Sequence, residues 1–103
     1  MIARVWRGAT RAEDEAEYAA YIEESAMKGA RNLPGNRGTL VLHRVHDGRA
    51  EFETILLFDS LDDIRAFAGD DVDAAVFFPE DDRYLIARDL HVSHYTVDAQ
   101  LSG

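Results

Sequence analysis

Residues 38–60, GTLVLHRVHDGRAEFETILLFDS, decide the fold. The pair Asp47-Gly48 marks a two-residue hairpin, because a turn matched to the twist of its strands needs positive φ at both central positions. Folding the strands about it sets Arg44 opposite Glu51, Leu42 opposite Glu53 and Leu40 opposite Ile55 on one face. On the other face Val45 meets Ala50, His43 meets Phe52, Val41 meets Thr54 and Thr39 meets Leu56. The opposed charges of Arg44 and Glu51 favour this register over a one-residue slip. Away from the turn, Leu40, Ile55 and Leu57 line one face while Val41, Leu56 and Phe58 line the other. Both faces are apolar, and each needs a cover.

Before the hairpin, Leu33-Pro34-Gly35 stops a helix predicted over about 11–31, since proline cannot continue it and glycine lets the chain turn. Thr10 with Glu13 forms the capping pattern expected at its start. Ala19, Ile22, Ala26, Gly29 and Leu33 recur at three- and four-residue spacing, so the stripe predicted to be buried is made mostly of small side chains. Ahead of it, 2–7 alternates as a short strand. After the hairpin, Ser60 with Asp63 caps a second helix carrying Leu61, Ile64, Phe67 and Ala68, which ends at Gly69. Val72 to Phe78 suggests another helical turn stopped by Pro79, and Glu80 to Ile86 one more. Residues 91–97 close the chain as a strand with Val92, His94 and Thr96 on one side.

Strand, helix, strand, strand, helix, strand is the ferredoxin-like split arrangement. The expected architecture is therefore α+β, βαββαβ, with two helices on one face of a four-stranded antiparallel sheet. It forms one domain over 1–97, followed by a C-terminal tail, 98–103. The second sheet face would stay exposed in a monomer, so a homodimer is expected, two sheets packing face to face into a barrel-like interior.

The formal net charge of −9 argues against nucleic acid or an anionic membrane as partner, because phosphate binding needs a surplus of Lys and Arg. With no cysteine there is neither a disulfide nor a thiolate metal site. Apolar runs fall far short of a membrane span, and the first residues read as a strand rather than a signal peptide, which makes a cytoplasmic location the expectation.

The stretches MIARVWRG, PGNRG, FETILLFDSLDDIRAFAG and VSHYTV resemble the antibiotic biosynthesis monooxygenase (ABM) type of dimeric α/β barrel, over nearly the whole of 1–97. The resemblance implies a dimer with a ligand pocket between sheet and helices in each subunit. Several members of that family oxidise polycyclic phenolic or quinol-like substrates with molecular oxygen and no metal or flavin. Others degrade haem, isomerise small metabolites or have no known activity. The chain departs from the family in its third strand, where a glutamate two residues before a tryptophan is common and Leu56 and Phe58 stand instead. The tryptophan and the iron-ligating histidine of haem-degrading members map onto Phe67 and Phe77. Phenylalanine cannot ligate iron, which disfavours haem degradation.

Cofactor-free oxygenation needs an apolar pocket, a group that removes a proton and a group that steadies the resulting anion. His43, on the more apolar hairpin face, and His94, on the last strand, are the candidate catalytic bases. Trp6, Phe67 and Phe77 can stack on a flat aromatic ligand, and Tyr21 and Tyr95 complete the expected substrate-binding set. Among the phenols Tyr18, Tyr21 and Tyr84, Tyr21 is best placed beside the small-residue stripe. Arg4 and Arg7 can steady an oxyanion, although strand arginines more often pair with carboxylates such as Glu51 or Glu53. Each of these side chains has an ordinary structural reading, core or interface packing. The acidic run Glu80-Asp81-Asp82 reads as solvated. No metal or cofactor is expected, and no Ser/His/Asp constellation or phosphate loop appears. Two functions follow: a cofactor-independent monooxygenase-like enzyme acting on a small aromatic, phenolic or quinone-type metabolite, or a non-catalytic dimeric module binding a small apolar or aromatic ligand.

Overall fold

The computed structural model describes residues 1–98, so the expected tail, 98–103, lies outside them apart from Asp98. Strands β2 (Asn36–His46) and β3 (Arg49–Phe58) pair in the register derived above, with Arg44 opposite Glu51, His43 opposite Phe52 and Thr39 opposite Leu56. Asp47 and Gly48 take φ of 53° and 77°, the doubly positive turn that this connection requires.

Strand β1 (Ile2–Arg11) is longer than predicted. It pairs along the whole of β3, from Ile2 opposite Phe58 to Arg11 opposite Arg49. Thr10 therefore lies within the ladder and is fully buried, and its hydroxyl donates to the Arg11 carbonyl instead of capping a helix. Pairing with β3 already satisfies the backbone here, so the expected capping box does not form. On the other edge of β1, β4 (Leu85–Arg88) pairs with 8–10 and β5 (Ser93–Thr96) with 2–5, end to end. The result is an open, five-stranded antiparallel sheet in the order β2-β3-β1, then β4 and β5. This order is compatible with a ferredoxin-like arrangement whose last strand is split.

Two expectations after the hairpin need correction. Residues 72–78 form no helix; their backbone bonds outward, through an Ala74–His91 bridge, Ala75 N to Leu90 O and Val92 N to Asp73 O. Of 80–86 only α4 (Asp81–Tyr84) is helical, because Leu85 onward finds the free edge of β1. Helix α3 (Leu61–Ala68) is as expected, with the Ser60 hydroxyl accepting from Asp63 N at 3.3 Å and Gly69 at φ 82° ending it, although Leu61 remains exposed.

The first helix holds the largest correction. Helix α1 (Glu15–Ile22), a π-helical segment (Glu23–Met27) and α2 (Lys28–Arg31) run on without a break. The buried residues are Tyr18, Ile22, Met27 and Ala30, spaced four, five and three apart. The five-residue step is the π segment, which rotates everything after it. Large side chains thus form the stripe, while Gly29 faces open space. They pack with Trp6, Phe52, Leu56, Phe58, Ile64 and Tyr84 into one core on the inner face of the sheet.

Candidate functional site

Alternation along the central strands sends Ile2, Arg4, Trp6, Gly8 and Thr10 inward, opposite Phe58, Leu56, Thr54, Phe52 and Ala50. Beneath the first helix these residues leave a cavity of about 40 Å³, room for a few water molecules at most. Its walls are Trp6, Ile22, Met27, Leu56, Phe67 and Phe77, with Val76, Phe78 and Val92 closing it from the irregular chain beyond α3. Polar side chains enter as Arg4, as the pair Tyr18 and Asp81, and as Ser25 and Thr54; Arg4, Tyr18, Asp81 and Thr54 are only slightly exposed to solvent.

Arg4 is 3% exposed and has no carboxylate within ion-pair reach among the described residues. Its guanidinium donates to the carbonyls of Val72 and, at 2.7 Å, Ala74, and lies 5.7 Å over the ring of Phe67. Burial lowers its pKa from the ordinary arginine value, with Asp73 acting in the opposite sense. Asp81, read from the sequence as solvated, is 5% exposed. Its Oδ1 accepts from the Tyr18 hydroxyl at 2.9 Å and its Oδ2 from the Phe78 amide at 2.7 Å. Burial first, and then the charge and hydrogen bond of Asp81, push the Tyr18 phenol well above its ordinary pKa. Burial and Asp81 also raise that of Tyr21.

Of the residues singled out from the sequence, Trp6, Phe67 and Phe77 come together on the cavity wall. The Trp6 and Phe77 rings meet edge to face at 6.2 Å, and Trp6 Nε1 donates to Asp89 O at 2.9 Å, tying the wall to the chain between β4 and β5. Tyr21 packs behind the lining, against Tyr18 and Tyr84. Tyr95 pairs opposite Ala3 on the outer sheet face and is 54% exposed. His43 sits near the hairpin end, stacked on Phe52, with Nδ1 2.8 Å from a Glu15 carboxylate oxygen.

His94 lies one step behind the cavity. Its Nδ1 is 3.1 Å from Asp73 Oδ1 and its Nε2 3.3 Å from Arg4 Nη1. A guanidinium only donates, so Nε2 accepts, and the ring proton belongs on Nδ1 facing Asp73. Both nitrogens are engaged, and neither histidine lines the cavity. The sequence reading missed Asp81 and ranked Tyr21 above Tyr18, whereas Tyr18 lines the cavity. The available signal was Pro79 two residues before Asp81, which starts a helix and lets one acid of an acidic run turn back into the core.

The outer sheet face carries an open hollow of about 630 Å³ edged by Arg7, Arg44, Arg49, Glu51 and Glu53. Four of its charges pair, Arg7 with Glu53 at 3.0 Å and Arg44 with Glu51 at 2.8 Å, as on a solvated face. Among the described residues no three His, Asp or Glu side chains are grouped to hold a metal ion, and no helix is long and apolar enough to cross a membrane. No family model matches the chain, and no curated protein matches it either.

Proposed function

We propose that this chain is a binding domain for a small planar aromatic ligand with an acidic oxygen, held in the cavity between sheet and helices. Arg4 carries the reading: a buried guanidinium without a carboxylate partner, surrounded by aromatic walls, is matched by an anionic oxygen on a flat apolar body. The cavity is far below the roughly 300 Å³ of an ordinary ligand pocket. Entry therefore displaces Phe77 and Phe78, which the irregular segment beyond Gly69 supplies. Trp6 is the single tryptophan and stands on the wall, so its fluorescence reports occupancy. Benzoate is expected to change that fluorescence saturably, and Arg4→Met to abolish the change. Equal binding by the Arg4→Met protein would sink this function.

A cofactor-independent monooxygenase acting on a phenolic or quinol-type metabolite is the second reading. It is favoured by the same Arg4, which would steady a phenolate or enolate while oxygen is consumed. Because both ring nitrogens of His94 are engaged and His43 is at the surface, such a substrate would have to arrive ionised. Oxygen uptake with a hydroxyanthrone or quinol that persists under chelation and disappears in Arg4→Met would establish catalysis. Binding without uptake leaves the module.

The same proposal includes a ferredoxin-like subunit paired through its outer sheet face, the assembly that the ABM-type resemblance implies. Leu40, Leu42 and Tyr95 are about half exposed there, beside partly exposed Val5, Ile55 and Leu57. Sedimentation of the wild-type chain is expected to give a dimer that Leu42→Glu converts to a monomer. A wild-type monomer at micromolar concentration would end the idea.

A further inference from the structure

We propose that Asp81 is the second anchor of this cavity, so that the ligand carries a hydrogen-bond donor at the end remote from its acidic oxygen, as a para-hydroxylated aromatic acid does. The inference rests on the binding function above and deepens it. The Asp81 carboxylate is held by one hydrogen bond to each oxygen, from Tyr18 and from Phe78 N, and a carboxylate accepts about four. Each oxygen keeps a lone pair, and among the described residues no cation lies within ion-pair reach of it. One small cavity thus contains two buried, oppositely charged groups that do not neutralise each other. Two such ions carry their desolvation cost without the mutual attraction that would offset it, and a ligand with complementary ends supplies both missing partners.

The fold sets the two anchors apart. Arg4 stands opposite Leu56, whereas the Tyr18 ring that leads to Asp81 packs on Phe52, 4.9 Å between centroids. Leu56 and Phe52 are four residues apart on β3, so the two anchors enter the cavity at different points along the sheet. Arg4 enters the cavity from β1 and Asp81 from α4, and between them the wall is apolar apart from Thr54 and Ser25. Opposed anchors select opposed substituents, para over ortho.

The test compares benzoate, 4-hydroxybenzoate and 2-hydroxybenzoate on the full chain by Trp6 fluorescence. A hydrogen bond to a buried carboxylate predicts that 4-hydroxybenzoate binds about tenfold tighter than benzoate. 2-Hydroxybenzoate is expected to gain nothing. Asp81→Asn should erase the gain, so that 4-hydroxybenzoate binds that variant no more tightly than benzoate does. Where Asp81→Asn does not fold, Tyr18→Phe removes the competing donor and is expected to strengthen 4-hydroxybenzoate binding alone. Equal affinity for benzoate and 4-hydroxybenzoate, a gain that survives Asp81→Asn, or an unchanged Tyr18→Phe protein overturns the assignment. Failure of benzoate itself to bind is a different result, which removes the binding function and this inference with it.

Discussion

Arg4 and Arg7 lie three residues apart on one strand, and they occupy opposite physical situations. Arg4 points inward, is almost wholly buried and is held by carbonyls and an aromatic ring. Arg7 points outward, with its side chain 65% exposed, and pairs with Glu53. Residue type is the same; the period of two along the strand makes the difference. The contrast extends to the whole sheet. Its inner face concentrates aromatic packing and uncompensated charge, and its outer face carries compensated charge between half-exposed leucines. A cation with a carboxylate beside it in water has little to gain from a ligand. One buried without such a partner has much to gain.

If the faces differ as described, substitutions on the inner face should dominate stability. Phe52, 2% exposed and meeting the Tyr18 ring edge to face, gives the largest expected effect. Phe52→Ala should cost about 3–5 kcal/mol in urea unfolding, and a loss comparable to that of a surface substitution would break the comparison. Gly8 comes next. A Cβ there would meet the Trp6 indole at 2.5 Å, so Gly8→Ala forces the ring off the cavity wall. An expected cost of about 1–3 kcal/mol for this overpacking should come with a shifted Trp6 emission spectrum, and an unshifted spectrum would show that the indole is not held there.

Tyr18 sharpens the contrast through pH. Its phenol pKa is raised in the folded chain, whereas the unfolded chain ionises near the ordinary value of about 10. A raised folded pKa contributes stability that is complete below the unfolded value and is lost as pH climbs towards the folded one. Wild-type stability should therefore fall between pH 10 and 12 with a slope of about 1.4 kcal/mol per pH unit from this group. In Tyr18→Phe that contribution to the slope is absent. Unfolding curves at pH 9, 10 and 11 measure it, and parallel pH profiles for the two proteins would show that Tyr18 ionises freely.

The hairpin was legible to the residue because two local signals agreed, a turn pair that demands positive φ and an Arg44–Glu51 pair that allows one register. The first helix was legible in extent but not in its buried face. Periodicity assumes 3.6 residues per turn, and the step from Ile22 to Met27 crosses a π turn that no residue type announces. Strand β4 was hidden for a different reason, since 85–88 forms a strand only where the free edge of β1 is present to pair with it. The aromatic wall was readable from Trp6, Phe67 and Phe77. Its polar ends were not: which of three consecutive acids turns inward depends on Tyr18 and the Phe78 amide, groups far apart in the chain or generic in kind.

The smallest expected effect belongs to the outer pair. Arg7 and Glu53 face each other across β1 and β3 at 3.0 Å, both at least partly in water. Ordering two long side chains offsets most of their screened attraction, so Arg7→Ala should cost under about 1 kcal/mol and lose most of that in 1 M salt. A double-mutant cycle with Glu53→Ala isolates the coupling from the strand propensities of the new residues. A coupling of several kcal/mol that resists salt would mean that the pair is shielded from water in solution. A second copy of the sheet is the cover proposed for this face, so the one result that overturns the prediction for the isolated chain would agree with the proposed dimer.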